Sequence, residues 1–204
     1  MAYTIQQWRK RIRNRADMSS FLFHLTKPNG SLTSTDVLLK ILKERKLIGS
    51  DSSGFIGGRH TAVCFQDVPA YGLSQNTYHE QQLREQNSST KLRYNPVGIG
   101  LPKRYLYTLK GARPVIYERK ETARRFIPQE EWWRIVDFDL GNADNIVDWT
   151  HEREWRVKGD MTFKLSEAIV IIPTKETYRT FMDKADDSII KGIGGITVLD
   201  PVLS

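Results

Sequence analysis

The longest clean apolar run in the chain is Ala168-Ile-Val-Ile-Ile172. A run of this size suits one buried strand and falls far short of the roughly twenty residues that span a bilayer as a helix. Its companions are of the same kind: Ser20-Phe-Leu-Phe-His24, Thr61-Ala-Val-Cys-Phe65, Val97 to Leu101 and Pro114 to Tyr117. Each is short, rich in β-branched or aromatic residues, and bounded by polar or turn residues. Short strands dispersed among helical patterns, without a regular βαβ alternation, predict an α+β fold with a mixed or mainly antiparallel sheet.

Helical spacing is clearest where a capping residue precedes it. Ile5, Trp8 and Ile12 define an amphipathic opening helix. Ser34 or Thr35 can cap a helix whose apolar positions include Val37, Leu38, Ile41 and Leu42, and Thr174 precedes a helix from Lys175 to Met182. Asn29-Gly30 marks a turn, and a Gly/Ser-rich loop from Gly49 to Gly58 ends at Arg59. The polar stretch from Ser74 to Ser89 reads as helix or as loop. Trp149 to Val157 alternates bulky apolar with charged residues and predicts a strand, followed by a turn at Lys158-Gly-Asp160. Met161 to Leu165 and Ile196 to Leu199 predict two further strands. With no internal repeat and no low-complexity linker, residues 1–204 are expected to form a single domain, residues 1–18 being its basic N-terminal helix.

The charge is unevenly spread. Of a net +7, five positive charges come from Arg9, Lys10, Arg11, Arg13 and Arg15, in a segment without an acid. Such a helix either docks by its apolar face with a solvated outer face, or binds phosphates, since clustered Lys and Arg release counterions from nucleic acid. Cys64 is the only cysteine, which excludes an internal disulfide and a cysteine-based zinc site. No apolar h-region follows the N-terminal basic residues. The expected location is the cytoplasm, with no membrane partner.

Three stretches could carry chemistry. In Asp148-Trp-Thr-His-Glu-Arg-Glu-Trp-Arg-Val157, residues two apart on a strand share a face. Glu152, Glu154 and Arg156 are therefore expected on one face, and Trp149, Arg153 and Trp155 on the other, toward the core. Like charges that share a site raise one pKa, which serves a group that must hold or pass a proton. The same pattern also fits a solvated strand with local ion pairs. His24 ends an apolar strand, where it either satisfies the core or reaches a cleft. Glu118-Arg-Lys120 has the carboxylate-x-lysine spacing of a metal-dependent nuclease, but no Asp lies between Asp67 and Asp137 to supply a second ligand. Motifs for a zincin, a zinc deaminase and a P-loop are all missing.

Taken in order, the stretches FHLTKPNG, AVCFQDVPAYG, GARPVIY and WTHEREWRV resemble the ADP-ribosyltransferase-like superfamily. The flavour is similar to bacterial phage-defence and toxin families of the DarT and AbiGi kinds. The resemblance implies a split, mainly antiparallel sheet with flanking helices and an NAD cleft, NAD being a substrate and no metal being required. It assigns Glu154 as the catalytic glutamate that bonds the 2′-hydroxyl of the nicotinamide ribose, and Glu152 as the group that orients or deprotonates the acceptor. His24, Thr26 and Tyr94 would contact NAD, with Tyr71 and Tyr78 competing with Tyr94 for the mid-chain aromatic; Arg59, by its placement after the glycine-rich loop and not by the resemblance, either pairs with the NAD diphosphate or is a solvated loop arginine. Leu25 stands where the poly-ADP-ribose polymerase version of the histidine motif has glycine. The function implied is an NAD-dependent ADP-ribosyltransferase of a toxin–antitoxin or phage-defence system, with a nucleic-acid acceptor and a cognate toxin or antitoxin partner. The alternatives are a non-catalytic nucleic-acid-binding regulator that keeps the fold, and the metal-dependent nuclease.

Overall fold

Helix starts follow their caps. The computed structural model describes residues 2–52, 55–86 and 95–203. The first helix, α1 (Ile5–Arg13), opens on a Thr4/Gln7 capping box. Strand β1 (Phe21–Leu25) leads to α2 (Ser34–Glu44), whose cap is Thr33, one residue before the expected Ser34 or Thr35. Thr33 wins because Asp36 stands three residues on and completes a capping box that neither alternative could make. There follow β2 (Lys46–Leu47), β3 (Ala62–Gln66), α3 (Ala70–Gln86), β4 (Gly98–Pro102), α4 (Lys103–Leu109), β5 (Arg113–Pro114) and β6 (Ile116–Tyr117). The remainder is α5 (Lys120–Phe126), β7 (Ile135–Val136), β8 (Glu154–Lys158), β9 (Met161–Thr162), β10 (Ile169–Ile172), α6 (Lys175–Lys184), α7 (Asp187–Gly192), β11 (Gly195–Val198) and α8 (Asp200–Leu203). The stretch from Ser74 that reads as helix or loop is helical through Gln86. The class is α+β, with mixed but mostly antiparallel strand pairing and flanking helices. No described helix is long and apolar enough to cross a membrane.

The chain divides into two units, each assembled from separate segments. Met1–Arg45, Val68–Pro102 and Phe163–Ser204 make the first. Its strands run in the order β11-β10-β4-β1, antiparallel except for the parallel β10/β11 pair. Phe23, Val68, Leu73, Ile171 and Leu199 form its core. The two glycines of β4 are obligatory for this packing. A Cβ on Gly98 would lie 2.1 Å from the His24 carbonyl oxygen, and one on Gly100 would lie 2.7 Å from the Phe23 ring.

Lys46–Asp67 and Lys103–Thr162 make the second unit. Here β8 is central, antiparallel to β3 on one side and to β5 on the other. Two small pairs, antiparallel β2/β9 and parallel β6/β7, complete it. Ile56, Ala62 and Trp133 form one buried cluster with Cys64 against it, and Ala123, Ile127 and Ile135 form another.

Candidate active site

The strand expected from Trp149 begins only at Glu154. Asp148 accepts hydrogen bonds from the Thr150 amide (2.8 Å) and hydroxyl (2.6 Å), which turns Thr150–Glu152 into a single 3₁₀ turn. Those bonds hold the Asp148 carboxyl below its ordinary range. Arg153 then takes a left-handed conformation (φ 45°), and the extended backbone starts after it. This corrects the expected three-residue face: the two-residue alternation holds for Glu154 and Arg156, but Glu152 lies on the turn outside the strand.

The charged face of β8 is also the buried one, opposite to expectation. Glu154 is 7% exposed and Arg156 3%, whereas Trp155 is only half-buried. The sequence pattern misleads because the Trp155 indole N–H finds a polar partner: it donates to Asp67 Oδ2 at 3.1 Å. Arg156 grips Glu154 with two bonds, Nε to Oε1 at 2.7 Å and Nη2 to Oε2 at 3.2 Å. Its Nη1 donates to the carbonyls of Trp133 (2.7 Å) and Ile135 (3.3 Å). Four of the five guanidinium N–H directions are thereby engaged, as a buried cation requires. Burial alone would lower the Arg156 pKa; the neighbouring Glu154 carboxylate outweighs it, and the net shift is upward.

The carboxylate is fixed from its backbone as well. The Glu154 amide donates to the Tyr117 hydroxyl at 2.8 Å, and the Glu154 carbonyl accepts from the Val115 amide at 3.0 Å. Just before, the Glu152 carbonyl accepts from the Asp67 amide at 3.1 Å. Asp67 in turn binds Lys103 Nζ at 2.6 Å, with both side chains largely out of water. Burial first, and the Glu154 and Glu152 charges with it, push the Tyr117 pKa up to about 12, so its hydroxyl stays protonated at neutral pH. Cys64, opposite Arg156 in register, has its thiol pushed well above the ordinary value by burial and then by the Glu154 charge. A thiol held protonated in this way is a weak nucleophile. Gln66 faces Glu154 across the β3/β8 ladder, and its Oε1 is buried without a hydrogen-bond partner, as is the Trp133 indole nitrogen.

The other expected residues fall elsewhere. His24 is half-buried on β1 opposite Ile99. Thr26 is buried, and its hydroxyl lies 2.9 Å from the Val97 carbonyl and 3.1 Å from the Ser34 carbonyl, so its proton is committed to holding the strand end. Both belong to the first unit, while Glu152 and Glu154 belong to the second. Arg59 is exposed and paired with Glu130, whose pKa is lowered by Arg59 first and then by His60. Tyr94 lies outside the described residues. Tyr71 and Tyr78 are exposed on α3. On the basic segment, Arg11 bonds the Tyr3 hydroxyl and Arg15 holds Asp17 at 2.8–2.9 Å. Among the described residues, Arg9, Lys10 and Arg13 have no ion-pair partner, and Arg13 and Lys10 sit in the last turn of α1, where the helix dipole favours cations. The carboxylates of the nuclease pattern serve local backbone: Glu118 accepts from the Arg119 amide (2.8 Å), and Asp137 accepts from the Lys120 amide at the start of α5 (3.1 Å).

Sequence inspection passes over Gln66, Tyr117, Asp67 and Lys103. Only strand register could find Gln66, and only the β6 position could find Tyr117. Compared with known proteins, the chain matches no family model, no curated protein and no solved structure.

Proposed function

We propose that the chain is an NAD-consuming ADP-ribosyltransferase of a bacterial toxin or phage-defence system, with Glu154 as its catalytic carboxylate. One observation carries the reading: Glu154 is buried, doubly held by Arg156 and pinned through its own amide by Tyr117. A carboxylate fixed in dry surroundings stabilises developing positive charge without reorganising at the moment of reaction. In the reaction, the bond between the ribose C1′ and the nicotinamide nitrogen breaks, and nicotinamide keeps the electron pair. Glu154, bonded to the ribose 2′-hydroxyl, stabilises the cationic ribose until an acceptor nucleophile attacks C1′. Glu152, one turn before the strand, is the group that takes the acceptor's proton. His24 and Thr26 are assigned to NAD by resemblance alone. The test is nicotinamide release from NAD by the wild type and by Glu154→Gln, with nucleic-acid and protein acceptors supplied.

A second reading, a nucleic-acid-binding regulator, is favoured by the unpaired cations of α1. The same cations would serve the enzyme by recruiting a polyanionic acceptor. Replacing Arg9, Lys10 and Arg13 by Gln should flatten the salt dependence of nucleic-acid binding, by about one log–log unit for every phosphate no longer neutralised. An unchanged slope removes α1 from either role.

A further inference from the structure

We infer that Arg113, laid across the exposed ring of Tyr107, is a docking site for a carboxylate side chain of a partner protein. The inference is independent of the reading of Glu154. The stretch from Val97 to Tyr117 carries four positive charges and no acid. One of the four, Lys103, is taken by Asp67. Arg113 has no ion-pair partner among the described residues, yet it is held in place. Its Nη1 donates to the Ala112 carbonyl at 2.8 Å and to the Tyr107 carbonyl at 3.3 Å, closing the C-terminal end of α4. Its guanidinium carbon lies 4.4 Å from the centre of the Tyr107 ring, and that ring meets Trp155 edge-on at 6.4 Å. Among the described residues, the parallel donors Nε and Nη2 of this half-buried cation have no acceptor. With the same edge Arg156 grips Glu154.

Such an edge accepts two oxygens of one anion, and a side chain already ordered loses little freedom on binding. The surroundings select the carrier of that anion. Tyr107 is 48% exposed, and the exposed Pro114 stands opposite Trp155 in the β5/β8 ladder, so apolar surface borders the cation. Arginine beside aromatic rings is the composition in which protein interfaces concentrate their energy. A single-stranded nucleic acid would instead need free ring faces for its bases. Here each tyrosine of α4 already holds a cation of the chain, Arg113 on Tyr107 and Lys110 at 5.6 Å from the centre of Tyr105. A phosphate dianion is disfavoured for another reason: the carbonyls that Arg113 closes are the negative end of α4, which opposes two charges more than one. A carboxylate flanked by apolar side chains matches the set.

The test is selection of a random dodecapeptide library displayed on phage against the full chain, with Arg113→Gln as counter-target. Enriched peptides should share an Asp or Glu beside an apolar residue. A synthetic peptide of the enriched sequence should lose about tenfold in affinity for the wild type when its acid is replaced by the amide, the scale of a hydrogen bond to a charged group. That comparison needs no variant of the chain, so it stands even if Arg113→Gln unfolds. Arg113→Lys keeps the charge at the helix end but not the fork. It should fold as the wild type does, by circular dichroism, and bind the acidic peptide about tenfold more weakly. No enrichment over the counter-target, enriched peptides without an acid, or unchanged affinity in a folded Arg113→Lys chain overturns the inference. So does inorganic phosphate or a single-stranded oligonucleotide that binds more tightly than the peptide and depends on Arg113 in the same way.

Discussion

Two arginine–glutamate pairs in the second unit have the same chemistry and opposite surroundings. Arg156 and Glu154 are 3% and 8% exposed in their side chains, while Arg59 and Glu130 are 67% and 55% exposed. At the surface, water screens the attraction and already solvates both partners, so an exposed pair is worth little. In the interior the attraction is strong, but so is the cost of taking two charges out of water. The buried pair therefore survives only because the spare guanidinium donors reach the carbonyls of Trp133 and Ile135. A hydrophobic pair could fill the same space at no greater cost, so stability does not explain why charges stand there. The role proposed for Glu154 accounts for them.

The largest effect should come from leaving one buried charge without its partner. Arg156→Ala is expected to cost about 3–5 kcal/mol in urea unfolding, because Glu154 would stay buried and unpaired. The double variant Glu154→Leu/Arg156→Met sharpens the point. Its stability should lie between that of the wild type and about 1–4 kcal/mol above it, while nicotinamide release disappears. A double variant as unstable as Arg156→Ala would return the pair to a structural role. Next comes Asp67→Asn, which keeps an acceptor for the Trp155 indole but removes the charge facing Lys103. A loss of about 1–2 kcal/mol is expected, the scale of a hydrogen bond to a charged group.

Exposed pairs should respond to pH without much effect on stability. Asp36 bonds Lys184 and Thr33, and these bonds lower its pKa to about 2. Its folded pKa is depressed, so its contribution is present above the unfolded value near 4 and is lost as pH falls through about 2. An NMR titration should show Asp36 ionised at pH 3, and Lys184→Met should raise its midpoint. The smallest effect belongs to Glu130→Gln, which should leave the unfolding midpoint unchanged; a clear drop would erase the contrast with Glu154.

Local chemistry made part of this architecture legible in the sequence. The β-branched run at 61–65 announces β3, the Ala168–Ile172 run announces β10, and Thr174 caps α6 as its position suggests. The α+β class follows from the spacing of such runs. The single long strand at 149–157 does not form, because Asp148 and Thr150 make a local turn that outcompetes extension. Alternation of Trp and charge also gives the wrong buried side. It cannot register that Arg156 makes four hydrogen bonds inside, or that the Trp155 indole finds Asp67. Gln66 and Tyr117 come from strands 88 and 37 residues before Glu154, and no local pattern ties them to it. For Tyr117 the link is a hydroxyl bonded to a backbone amide, an acceptor any tyrosine could offer.

The central claim is that the buried glutamate at the start of β8 acts on NAD. Nicotinamide release by the wild type and by Glu154→Gln tests it most directly, with circular dichroism to confirm that both chains are folded. Loss of a fixed group that stabilises transition-state charge should lower the rate by about 10²–10³. Equal release by the two folded chains would contradict the account.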